Sequence, residues 1–287
     1  MKHTFKITII LTILFLLTQL IGLGIISKYV DIQEVVKQVE IEVDGETITQ
    51  EIIVKVEDWD NLPYDLERPK IESNTSYIAI GFSILLATLL ALLLIKLEAR
   101  ILWKAWFFLS VWFTLSIALN AFILQSVAVL LGLALAYLKA FKPNVIMHNL
   151  TELFIYGGLA VIFVPILNLT SIFVLLILIS IYDMYAVWKS KHMIKMAEFQ
   201  TKLKLFAGLL IPYGKNKTAI LGGGDLGFPL LFTGVMYKSI GLESLLIILT
   251  TTISLFILLY KSEKNKYYPA MPFISIGCLL GYLLTLL

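Results

Sequence analysis

The sequence predicts an all-α polytopic membrane protein with nine transmembrane helices, and three observations predict it. Of 287 residues, 59% are hydrophobic and 15% charged, with mean hydropathy +0.89, which leaves too little charge to coat a soluble globule. Apolar runs close to the ~20 residues that cross a bilayer recur along the chain. Two acids, Asp183 and Asp225, each sit inside such a run, where burying a carboxylate costs several kcal/mol unless something is gained.

The runs fall at about 5–27, 77–97, 101–121, 123–141, 151–168, 170–188, 218–237, 240–260 and 268–287. The first follows Lys2 and Lys6, as a signal peptide would, but it exceeds twenty residues and lacks a small-x-small cleavage site, so it reads as a retained helix. Between the third and fourth only Asn120 and Gln125 break the apolar stretch. A cytoplasmic N-terminus puts 17 of the 23 lysines and arginines inside, Lys139 and Lys142 among them. The positive-inside rule then gives N-terminus in and C-terminus out, a parity that nine spans satisfy and eight do not.

Segment 28–76 is long enough for structure of its own, carries 13 of the 20 acidic residues and falls outside. Val39–Val43 and Ile48–Val54 flank Asp44-Gly45, a type I′ turn signal, which predicts a small extracytoplasmic β-hairpin. It reads as a solvated cap or as a lid that screens substrates. Segment 189–217 is short and basic, with Lys189, Lys191, Lys195, Lys202 and Lys204 placed to meet anionic headgroups. It divides the chain into a six-helix part, 1–188, a cytoplasmic loop, 189–217, and a three-helix part, 218–287. There is no internal repeat, and Asn74-Thr75-Ser76 and Asn168-Leu169-Thr170 are sequons on the outer side.

Composition also narrows the chemistry. Cys278 is the only cysteine, and His3, His148 and His192 fall at segment ends or in loops, so no metal site and no cofactor are predicted. A net charge of +3 spread over short loops predicts no nucleic-acid partner. Asp183 lies six residues before Lys189 and Asp225 eight after Lys217, which at ~1.5 Å per helical residue places both roughly 9–12 Å inside the cytoplasmic boundary. Two carboxyls that meet share a proton, one serving as base for water and the other as acid toward a carbonyl. Gly222, Gly223 and Gly224, just before Asp225, allow close approach, local unwinding and water entry.

Tyr182-Asp183 in one helix, Gly222-x-Gly224-Asp225 in the next, and Pro269-Ala270-Met271-Pro272 opening the last resemble the presenilin and signal peptide peptidase family of intramembrane aspartyl proteases. That family carries Y-D, G-x-G-D and P-A-L in the same order, with Met271 here in place of leucine. The resemblance implies a presenilin-like fold with Asp183 and Asp225 as the catalytic pair. It implies that Pro269, Ala270 and Met271 border the site, with Tyr182 and the glycines lining the substrate path. Pro269 and Pro272 leave backbone groups unpaired, an edge to which an extended substrate can add as a strand. The orientation matches the presenilin branch, which takes substrates with the N-terminus outside. The short basic loop and compact length resemble microbial, archaeal homologues that act without obligatory partner subunits. The implied partners are transmembrane-helix substrates and the bilayer, with homo-oligomers left open.

Two other readings remain. A proton-coupled transporter or ion channel also keeps intramembrane acids, but its repeats place them in both halves, whereas both acids here lie in the C-terminal half. A prepilin or preflagellin peptidase shares G-x-G-D, with fewer spans and no P-A-L-like segment.

Overall fold

The computed structural model describes residues 4–43, 46–59, 62–190, 192–214, 217–263 and 266–287. The Asp44-Gly45 turn and His3 lie outside the described residues. The chain runs α1 (Phe5–Ile26), β1 (Val30–Val43), β2 (Glu46–Trp59), α2 (Ser76–Lys96), α3 (Arg100–Asn120), α4 (Gln125–Phe141), α5 (Val145–Phe163) and α6 (Leu169–Met184). It continues through α7 (His192–Lys202), β3 (Gly208–Tyr213), β4 (Lys217–Gly222), α8 (Gly223–Ile240), α9 (Leu245–Lys261) and α10 (Met271–Leu284).

Among the described residues, six helical stretches are long and apolar enough to cross a membrane, the last of them, Gly223–Lys261, running through α8 and α9. Gln125–Phe141 and Met271–Leu284 are apolar but shorter. The β-hairpin after α1 forms, with strands of 14 residues each, paired antiparallel from Val30↔Trp59 to Val43↔Glu46.

Helix α5 sits at the centre, packed on α1, α3, α4, α8 and β3. Gly157 and Gly158 permit this: an added Cβ at Gly157 would lie 3.2 Å from the Gly22 Cα of α1, and one at Gly158 would run into the Thr114 carbonyl of α3. Small residues at crossings are how membrane helices gain van der Waals contact. The main core joins α1, α5, α6, α8, α9 and α10 through Phe15, Ala160, Leu175, Phe232, Leu255 and Ile274. By contrast α2 is apolar on all sides and largely unburied, exposing Phe82, Leu85, Leu86 and Leu89, as suits a helix facing lipid tails.

Three sequence expectations need correction. The seventh expected span begins at Gly223, as α8, not at 218, because residues 217–222 form strand β4. An apolar run such as Ala219-Ile220-Leu221 reads the same in either state. The fifth helix begins at Val145, not 151, capped by the Asn144 side chain accepting from the Ile146 amide at 2.8 Å. That places His148 inside a helix rather than in a loop, and Glu152, 1% exposed, joins Asp183 as a buried acid. Lys139 is not a cytoplasmic surface lysine: it is 1% exposed. The loop 189–217 holds α7 and β3.

Candidate active site

The two aspartates arrive by different routes. Asp183 is in the last α-helical turn of α6, before a π-helical turn over Tyr185–Lys189 in which the Ser190 amide reaches back to the Tyr185 carbonyl at 3.0 Å. Asp225 is the third residue of α8, whose N-cap is Gly222. Its carboxyl folds back on the Gly222 amide, half of a capping box, where the helix end carries partial positive charge. A Cβ on Gly222 would sit 3.3 Å from Asp225 Oδ2. The glycines before the acid thus serve a strand-to-helix transition, not a helix interior, and the expected helical depth of Asp225 does not apply.

Asp183 meets a helix end as well. The Met271 amide, first in α10, donates to Asp183 Oδ2 at 3.0 Å, and the Ala270 amide lies beside it. The first amides of a helix have no internal acceptor, and Pro272 has no N–H, so the Met271 amide is free to bind the carboxyl. One turn away, Ser180 Oγ and Ser275 Oγ lie 2.8 Å apart and tie α6 to α10 again. The N-termini of α8 and α10 therefore converge on two carboxyls within Coulombic reach of each other. Asp183 is 4% exposed, whereas Asp225 is partly open. Among the described residues neither has an ion-pair partner within 4.0 Å.

Of the other expected residues, Pro269, Ala270 and Met271 are buried, the last two with their amides on Asp183, and Gly222 to Gly224 lead into Asp225. Tyr182 is not brought to the carboxyls: its hydroxyl is 2.8 Å from His192 Nε2 and 3.3 Å from Thr88 Oγ1.

Two features were missed from sequence. The first is the antiparallel hairpin β3–β4, registered from Gly208↔Gly222 to Tyr213↔Lys217. Gly208 has φ +134°, and a Cβ there would strike the Leu221 carbonyl, so only glycine closes the base of the hairpin. The second is a polar cluster beneath it. Lys139 Nζ lies 2.7 Å from Glu152 Oε1, 3.0 Å from Thr151 Oγ1 and 3.1 Å from the His148 carbonyl. It is also 3.3 Å from His148 Nδ1, while His148 Nε2 is 2.8 Å from the Gly208 carbonyl. A carbonyl only accepts, so Nε2 carries the proton and Nδ1 accepts from the ammonium. Tyr156 donates its hydroxyl to the other oxygen of Glu152. A lone lysine and a lone glutamate in neighbouring apolar runs were the available signal.

The sequence model of the signal-peptide peptidase, presenilin aspartyl protease family matches residues 60–227, a stretch that holds both aspartates and ends before α10. Among solved structures, a presenilin family intramembrane aspartate protease in the C222 crystal form is similar over 96% of this chain and 94% of that one, with TM-score 0.62 and 18% identity. Its P2 form is similar over 96% and 95%, with TM-score 0.61 and 18% identity. No curated protein matches. The match spans more than half of the 287 residues, so the chain belongs to the signal-peptide peptidase, presenilin family of intramembrane aspartyl proteases.

Proposed function

We propose that this protein hydrolyses peptide bonds inside the membrane-spanning segments of other proteins, with Asp183 and Asp225 as the catalytic pair. The observation that carries the reading is the convergence of two buried or half-buried carboxyls, without a counter-cation among the described residues, on the N-termini of α8 and α10. Two such groups favour the singly protonated pair. The ionised member takes a proton from water as it attacks the scissile carbonyl and later passes that proton to the departing amine, while the protonated member donates to the carbonyl oxygen and regains its proton as the new carbonyl forms. Pro229 lacks the amide that would bond the Asp225 carbonyl, which keeps the first turn of α8 adaptable. Ala270 and Met271 hold Asp183 and border the substrate path, as do Gly222 to Gly224. Tyr182 serves packing between α2, α6 and α7.

The chain crosses the membrane nine times, its N-terminus cytoplasmic and its C-terminus outside, with hairpin β1–β2 in the extracytoplasmic segment 28–76. Residues 1–188 and 218–287 form the six-helix and three-helix parts, joined on the cytoplasmic side by 189–217. Substrates enter with their N-terminus outside, and no partner subunit is needed.

The test is cleavage of a single-span substrate by purified protein in liposomes, comparing the parent with Asp183→Asn and Asp225→Asn. Loss of cleavage in both substitutions supports the pair. Cleavage at the parent rate by either one rejects it, and proton flux through the parent in the absence of cleavage would favour the transporter reading.

A further inference from the structure

On α5, Asn149, Glu152 and Tyr156 follow one another at intervals of three and four, and His148 lies four before Glu152, which puts all four on one side of the helix. His148, Asn149 and Tyr156 touch the route into Asp225, and Glu152 holds Tyr156. His148 meets the Gly208 carbonyl, and Asn149 makes a two-way pair with Leu210, donating to its carbonyl at 2.8 Å and accepting from its amide at 2.9 Å. Tyr156 reaches furthest: a Cβ on Gly223 would lie 2.8 Å from its hydroxyl and 3.3 Å from Cε1, and one on Gly227 would lie 3.6 Å from Cδ1. The ring therefore underlies the first turn of α8, and its hydroxyl sits within Coulombic reach of Asp225.

From this we propose that Tyr156 is a positioning residue for Asp225, a stop that seats Gly223 and is itself held in place by Glu152 and Lys139. The inference rests on the reading of Asp225 as a member of the catalytic pair. A tyrosine alone at a helix crossing retains rotational freedom about its side-chain bonds. Here Glu152 accepts from the hydroxyl with one oxygen and binds Lys139 with the other, and Lys139 is bonded to Thr151 and to the backbone at His148. That locks the height of the phenol against α5. It also explains Gly223, since any side chain there would displace the stop. Supporting groups of this kind act because an ångström of misplacement in a reacting group costs up to about a hundredfold in rate.

The test uses the full chain in liposomes with a single-span substrate, measuring kcat, KM and the melting temperature. Tyr156→Phe is expected to lower kcat about tenfold with KM unchanged and the folded fraction intact. Gly223→Ala is expected to lose more, and Tyr156→Phe added to Gly223→Ala to restore part of that loss, because removing the hydroxyl frees the space a methyl needs. A Tyr156→Phe protein with parental kcat overturns the proposal. So does a kcat loss that only tracks the folded fraction, or a double variant whose losses add. Asp225→Asn serves as the control: cleavage by that variant rejects the catalytic pair itself, whereas an inactive Asp225→Asn beside a fully active Tyr156→Phe rejects only the role of Tyr156.

Discussion

Two buried charge clusters lie on either side of the first turn of α8, and they are built on opposite rules. In one, Lys139 and Glu152, each 1% exposed, neutralise each other at 2.7 Å and spend their remaining valences on Thr151, Tyr156 and the His148 carbonyl. In the other, two acids share a site with no cation near them among the described residues, held by the backbone amides of Gly222, Ala270 and Met271. A satisfied ion pair has no proton to spare and fixes geometry. A pair of like acids fixes little but can exchange a proton with substrate. On the proposed function, then, the charge that is paired is the frame and the charge without a cation among the described residues is the chemistry.

Neutralising one acid of the unpaired cluster gives the largest effect. Asp183→Asn or Asp225→Asn should lower cleavage by at least about a thousandfold while leaving the melting temperature within a few degrees, because no counter-charge is stranded. A large fall in melting temperature would erase the distinction between the clusters. The reverse holds for the paired one. Glu152→Leu leaves the Lys139 ammonium buried and should destabilise the fold by about 3–5 kcal/mol, with Lys139→Met added to it recovering most of the loss. Denaturant titration in detergent micelles reads both.

His192 is an intermediate case, a titratable group outside the membrane segments whose partners are the hydroxyls of Tyr182 and Ser190. Burial holds its pKa below the ordinary 6.5. The folded protein therefore binds fewer protons than the unfolded chain between those two values, and stability is full above 6.5 and declines as pH falls through that window. The melting temperature should drop on acidification from about pH 7.5 to about 5.5, and His192→Gln should flatten the slope. Smallest is the neutral pair: Ser180→Ala should cost roughly 0.6 kcal/mol, the mean for hydrogen bonds between membrane helices, with cleavage close to parental.

Much of this was legible before any coordinates. Bilayer-length apolar runs pointed to the six stretches that are long and apolar enough to cross a membrane, since length and hydropathy are all that crossing demands, and motifs singled out Asp183, Asp225 and Met271, which the fold brings near one another. What was illegible follows a pattern. His148 and Asn149 lie just before the run read from 151, so a helix with a polar internal face was cut short. Residues 218–222 were read as helix because hydropathy does not distinguish a buried strand from a buried helix. The Lys139–Glu152 pair spans a connection between helices, and no local pattern reports which side chains meet across one. Tyr156 had no motif to announce it; only the space over Gly223 does.

Helix α10 has 14 residues, about 21 Å at ~1.5 Å per residue, against a hydrocarbon slab of ~30 Å. It starts beside Asp183, so on the proposed nine-span reading the missing third of its path lies on the side from which residues 266–270 approach. Lipids bordering that side must shorten or tilt to meet the protein, a mismatch costing fractions of a kcal/mol per Å. On the proposed function, bilayers of longer acyl chains would press hydrocarbon over the carboxyls and thinner ones would leave them wet, so the lipid composition of the membrane would enter the rate of cleavage directly.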